Sequence, residues 1–167
     1  MSDLSAEQRL QQLEDIEAIK KLKARYFHAC DRKQVDVIRE CFVEGDCVID
    51  YGAVGVFKNR EAFIELFSDK ACHEHIIDTH HGQNPQISIM SDSVAVACWD
   101  LFFHQINTEA NTLTQLSGYY EDRFVKTAAG WRIHTTKFNA TSTLVSAIEE
   151  GLPKVVAALN PQLLPVE

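Results

Sequence analysis

Apolar positions recur at helical spacing through the N-terminal part of the chain. Ile16, Ile19, Leu22, Tyr26 and Cys30 fall at steps of three or four and predict one long helix over 5–30. Ser5 is placed to cap it, with Gln8 three residues on. Val35, Ile38 and Phe42 mark a second, short helix over 34–42. Gly45-Asp46 then turns the chain into a strand over 47–51. A short apolar piece, 54–57, leads to Asn59, a capping residue for a third helix over 60–71 with Phe63, Ile64 and Phe67 inward.

From Ile76 the period changes to two. Runs at 87–90 and 94–106 flank a tight turn at Ser91-Asp92. In the second run Val94, Val96, Cys98, Asp100, Phe102 and His104 share one face, and Ala95, Ala97, Trp99, Leu101 and Phe103 share the other. Both sets are largely apolar, so this strand is expected to be covered on both sides. Residues 112–125 run back, and Ala128-Ala129-Gly130 leads into a last strand over 131–141. The segment 144–167 is expected to hold a short helix and then a tail containing Pro153, Pro161 and Pro165. Its apolar residues (Val155, Val156, Leu159, Leu163, Leu164) predict docking on the pocket mouth or on a neighbouring subunit. Helix, helix, strand, helix and then long strands predict one α+β domain. It should be a curved, largely antiparallel sheet with helices on one face, enclosing a blind pocket.

Composition narrows the partners. Hydrophobic residues make up 46% and charged residues 24%, an ordinary balance that argues against disorder. A formal net charge of −8 argues against a phosphate-backbone partner, so no nucleic acid is expected. The apolar runs are too short to span a bilayer, so no membrane partner is expected either. Cys30, Cys41, Cys47, Cys72 and Cys98 are odd in number and lack CxxC spacing. With a polar N-terminus and no signal-peptide pattern, they point to a reducing cytoplasm.

The chemistry centres on Asp78-Thr79-His80-His81-Gly82-Gln83-Asn84-Pro85. Histidine titrates near neutrality and suits a general base, but it needs a partner to fix its tautomer. Asp31 is the best candidate for that partner, although its place at a helix end better suits the start of the next turn on the residues alone. On a strand His80 and His81 point opposite ways, so only one can face the cavity. A cavity-facing histidine would be joined from the next strand by Asp100, Phe102 and His104. Tyr51, ending a strand beside Gly52, suits a pocket mouth. Cys72-His73-Glu74-His75 lacks the spacing of a zinc motif and reads as a solvated loop, so no metal is expected.

The chain resembles the SnoaL-like domain family of the nuclear transport factor 2-like superfamily over about 12–142. The resemblance is carried by Asp15-Ile16-Glu17-Ala18-Ile19 through Tyr26, Cys30-Asp31-Arg32, Phe42, Asp50-Tyr51-Gly52 and Asn59-Arg60-Glu61-Ala62-Phe63. It continues through Thr79-His80, Asn84-Pro85, Gly118-Tyr119-Tyr120-Glu121-Asp122-Arg123-Phe124 and Gly130-Trp131-Arg132-Ile133. It implies a cone-shaped α+β barrel with three N-terminal helices around a pocket, no cofactor, and a homodimer or homotrimer. Within that superfamily its pattern is similar to scytalone dehydratase and hexachlorocyclohexane dehydrochlorinase, which use an Asp-His pair to remove a proton.

The resemblance therefore implies catalytic roles for Asp31, His80, Tyr26, Tyr51 and His104, the last with a one-residue shift. It also implies a substrate pocket including Asp100, Phe102, Asn84 and Tyr120. Where the dehydrochlorinase carries a lysine, this chain has Tyr26, which favours departure of an oxygen over departure of a halide. The implied function is a cofactor-independent lyase or isomerase acting on a small hydrophobic, cyclic molecule. The alternative is a non-catalytic ligand-binding or assembly module of the same fold.

Overall fold

Ser5 and Gln8 cap each other's backbone N–H groups and start helix α1, Ala6–Asp31. The computed structural model describes residues 4–149 and 151–159. A short helix α2, Val35–Cys41, follows, then strand β1, Asp46–Asp50, a single 3-10 turn at Gly52–Val54 and strand β2, Val56–Asn59. Asn59 caps helix α3, Arg60–Ala71, by accepting from the Ala62 backbone N–H. Four long strands come next: β3 Ile76–Ser91, β4 Val94–Asn107, β5 Thr112–Thr127 and β6 Gly130–Glu149. Strand β7, Leu152–Leu159, pairs back on β6.

The strand order is β2-β1-β6-β5-β4-β3, with β7 beside the far part of β6. Every pairing is antiparallel except β1 on β6, which is parallel. The sheet curves but its end strands, β2 and β3, do not pair, so the cone is open along one side and is not a closed barrel. The three helices lie on its concave face. Ile19, Leu22 and Phe27 of α1, Ile38 of α2 and Phe63 of α3 are buried there against Trp99, Leu101, Phe124, Trp131 and Ile133 of the sheet.

Two expectations are corrected here. The segment from 144 onward begins as strand, not helix. Residues 144–149 continue β6, and Gly151, at φ 78°, turns the chain into β7. The proline-containing end, 160–167, lies outside the described residues. Strand β4 is also not covered on both sides. Ala95, Ala97, Trp99 and Leu101 are buried against the helices, whereas Val96, Asp100 and Phe102 are exposed on the convex face. A doubly apolar strand sequence here serves one buried face and one open one.

Gly82 brings α1 and β3 together. A Cβ on it would lie 2.3 Å from a ring carbon of Phe27, so only glycine lets the helix rest on the strand at this height. Asp31 sits one helical turn beyond Phe27, and His80 two residues before Gly82, so this contact sets the two side chains against each other.

Candidate active site

Helix α1 ends in a Schellman motif: Gln34 N–H bonds the Ala29 carbonyl and Lys33 N–H bonds that of Cys30. Lys33 occupies the left-handed position, φ 58°, where glycine is usual. The motif stops the helix with Asp31 facing β3. The Asp31 carboxylate accepts the His80 backbone N–H, 3.2 Å to each oxygen, and its Oδ1 lies 2.6 Å from His80 Nδ1. An ionised carboxylate only accepts, so Nδ1 carries the proton and Nε2 keeps its lone pair. The imidazole is mostly buried, stacked on Phe27 with centroids 5.7 Å apart and tilted against Phe103 at 4.6 Å.

His80 lines a cavity of about 440 Å³ with largely aromatic and aliphatic walls. Phe63, Phe67, Phe103, Tyr120 and Phe138 form much of the lining. Also on the lining, the Tyr26 and Tyr51 hydroxyls are 2.6 Å apart. Burial pushes both phenols well above their ordinary range, so both are protonated at neutral pH. One of the two hydroxyl protons bridges the oxygens, and both hydroxyls belong to residues on the cavity lining. Cys30, also on the lining, has its thiol pushed up by burial and is an inert wall residue near neutrality. A wider groove of about 580 Å³ lies elsewhere, between Glu40, Glu44, Asp46, Arg60 and Arg132. It holds neither the Asp31–His80 pair nor the tyrosines.

Of the residues singled out from sequence, Asp31 and His80 are in contact with each other, and Tyr26, Tyr51, His80 and Tyr120 line the cavity. Four do not meet them. The register pairs His80 with Phe103 and Thr79 with His104, so Phe103 and Gln105 face the cavity while His104 faces the other side of the sheet. Asp100 and Phe102 share that convex side. Asn84, at φ 50°, sits in a bulge between Gln83 and Gln86 and donates to Asp100 Oδ2 at 2.8 Å there. The alternation along β4 was read correctly and its phase was not. Strand β3 carries two register shifts, between Gln83 and Gln86 and between Ile89 and Ser91, and the paired register is what shows which set faces inward.

Sequence reasoning missed five polar groups on or beside the cavity wall. Asp78, two residues before His80 and buried, pairs with Lys33 and accepts from Gln105 Nε2 at 2.9 Å. Lys23 and Asp122 form an ion pair, 2.7 Å apart and without solvent exposure, with the Lys23 ammonium 3.7 Å from the Tyr120 ring centroid. Asp78 carried a usable signal, since period two places it on the His80 face. Lys23 carried none. His73 and His75 stack on each other at the α3–β3 junction, with His73 Nε2 2.6 Å from the Asp69 carbonyl oxygen.

A model of the SnoaL-like domain matches residues 11–137. Among solved structures, a protein provisionally named a scytalone dehydratase, from Novosphingobium aromaticivorans DSM 12444, superposes with a TM-score of 0.75. It is 21% identical, over 93% of this chain and 98% of that one. The hexachlorocyclohexane dehydrochlorinase LinA-type3 of Novosphingobium barchaimii LL02 gives a TM-score of 0.72 at 14% identity, over 95% and 99% of the two chains. An NTF2-like protein with a cystatin-like fold, also from N. aromaticivorans, gives 0.67 at 23% identity, over 83% and 90%. At these identities the likeness is one of fold.

Proposed function

The chain belongs to the SnoaL-like domain family, and from that premise we propose that it is a cofactor-independent lyase or isomerase. Its substrate is a small hydrophobic cyclic molecule from which His80 removes a proton. The observation that carries this reading is the 2.6 Å contact between Asp31 Oδ1 and His80 Nδ1, with the imidazole on the wall of an apolar cavity. Asp31 holds the tautomer that leaves Nε2 basic and stabilises the imidazolium that forms.

In the reaction, Nε2 takes a C–H proton next to a carbonyl, and the bonding pair moves toward the carbonyl oxygen. A hydroxyl proton of the Tyr26–Tyr51 pair meets the negative charge that develops there. The proton on His80 then returns to a different carbon, giving an isomer, or goes to a hydroxyl leaving from the neighbouring carbon, giving water and an alkene. Elimination of water is the favoured outcome. A dehydratase-named neighbour of the same fold and a phenol where a lysine would assist a halide both support it.

The test is exchange of the α-protons of cyclohexanone in D₂O, followed by NMR, with binding read from chemical-shift changes in the same samples. Wild type is expected to accelerate exchange. His80→Gln should lower the rate by on the order of 10²–10⁴ with the ketone still bound. Asp31→Asn should fall between the two. Equal exchange rates in wild type and His80→Gln would overturn the base assignment. Binding without exchange in any of the proteins would support a ligand-binding module instead.

The convex face of the sheet, with Ile77, Met90, Val96 and Phe102 exposed, supports self-association as a homodimer or homotrimer. Sedimentation equilibrium checks this, and a monomer at micromolar concentration would exclude it. The five free cysteines support the expected reducing, cytoplasmic setting.

A further inference from the structure

Besides His80 and the Tyr26–Tyr51 pair, the cavity lining carries the polar side chains of Asp78 and Gln105, which the proton transfer does not use. Strand β3 carries Asp78 and His80 on its concave side, two residues or roughly 7 Å apart. Their partners across the ladder are Gln105 and Phe103, on the same side. Asp78, Gln105, His80 and Phe103 all line the cavity. The charge order at the crossing of α1 with β3 is reversed between neighbouring pairs: Asp31 meets His80, and Lys33 meets Asp78.

Hydrogen-bond bookkeeping fixes what Asp78 and Gln105 offer. Gln105 Nε2 donates to Asp78 Oδ1 at 2.9 Å, and the Lys33 ammonium binds Asp78 Oδ2. An ionised carboxylate accepts only, so the Gln105 amide must turn its NH₂ toward Asp78 and its Oε1 away. Gln105 Oε1 and the remaining lone pairs of Asp78 are left as acceptors on the cavity wall. Lys33 lies behind Asp78, over the Phe67 ring at 5.8 Å, and is not itself on the lining. It holds this position in a left-handed backbone conformation that glycine would adopt without strain. What a lysine adds there is a side chain that pairs with the buried carboxylate and holds it in place.

We infer that Asp78 and Gln105, clamped by Lys33, form a second subsite that receives a hydrogen-bond donor of the substrate. The inference rests on the cavity being a substrate site and names the class: a ring compound with a carbonyl toward Tyr26–Tyr51 and a hydroxyl or amino group remote from the carbon that His80 deprotonates. Donors at Tyr26–Tyr51 and acceptors at Asp78–Gln105, on one lining, favour one orientation of such a molecule. A site built to bond a hydroxyl discriminates strongly against the analogue that lacks it, because its own buried polar groups are then left unpaired.

The experiment compares 4-hydroxycyclohexanone with cyclohexanone, with dissociation constants measured by NMR titration. Wild type should bind the hydroxyketone about tenfold tighter, the worth of one hydrogen bond to a charged or charge-polarised acceptor. Gln105→Leu, similar in size and confirmed folded by its circular dichroism, should bring the two constants within about twofold of each other. Asp78→Asn, which keeps the shape and removes the charge, should shrink the preference. Equal affinities in wild type, or a full preference retained in Gln105→Leu, would overturn the subsite. His80→Gln separates this inference from the base assignment, since it should lose exchange and keep the preference. A preference present in wild type without any α-proton exchange leaves the subsite standing and removes only the base.

Discussion

Gly82 is the residue on which the geometry of the Asp31–His80 pair turns. Its missing side chain is what lets Phe27 lie flat against β3 and stack on the imidazole, so Asp31, one turn on, arrives within hydrogen-bond reach. Adding one methyl forces the Phe27 ring or the helix to move. Gly82→Ala should therefore cost about 1–3 kcal/mol of stability, the range for overpacking a filled site. It should also lower turnover more than ligand binding, because the pair is spread apart. Urea denaturation checks the first effect and α-proton exchange the second. Phe27→Leu in the same chain should restore part of the stability. An unchanged midpoint in Gly82→Ala would show that the ring has room to retreat.

At the scale of elements, α1 is tied to the sheet by a charge pair inside the core. Lys23 and Asp122 are both without exposure, and Thr136 donates to the second Asp122 oxygen at 2.6 Å. Burial pulls the Lys23 ammonium below its ordinary value, and the Asp122 charge pulls it back. The Tyr120 ring beneath the ammonium adds a cation–π contact. Breaking such a pair strands one charge in the interior. Lys23→Met alone and Asp122→Leu alone should each destabilise by about 3–5 kcal/mol. The double substitution should recover most of that loss, because no charge is left behind. Chemical denaturation of the three variants gives the coupling directly. Purely additive losses in the double variant would mean that the two side chains act independently.

For the whole molecule, acid stability is set by contacts distant in sequence. Asp15, near the start of α1, accepts from Lys126 Nζ at 2.7 Å and from Trp131 Nε1 at 2.9 Å across the β5–β6 turn. Burial works to raise the Asp15 carboxyl, but the hydrogen bonds from Lys126 and Trp131 and the Lys126 charge outweigh it and hold it below its ordinary value. A lowered folded-state value contributes stability that is present above the unfolded value, near 4, and is lost as pH falls through the folded one. Wild type should accordingly lose stability below about pH 4. Asp15→Asn should be less stable at neutral pH, with the gap to wild type closing as the pH drops through that window. Thermal melts from pH 7 to pH 2 measure it, and a gap independent of pH would contradict the assignment.

What could be read from the chain and what could not divides along the range of the interactions. Periodicity, caps and turn residues are local, so the helix over 60–71 with its Asn59 cap, the Ser5–Gln8 cap and the switch to strands at Ile76 were legible from sequence, and with them the α+β class. The inward side of β4 was not. Alternation sorts Leu101 and Phe103 from Phe102 and His104, but only the packing of the helices and the pairing of His80 with Phe103 decide which set faces inward. The charges inside were equally hidden. Lys23 and Asp78 read as polar positions until a partner brought from elsewhere in the chain neutralises them, Asp122 in one case and Lys33 in the other. The last strands show the same limit, since 144–149 become strand by pairing with β5 and β7 and not by local preference. Sequence alone determined the elements and most of the residues able to do chemistry. The tertiary structure decided which of them meet, because register and the desolvation of paired charges exist only once distant segments are in contact.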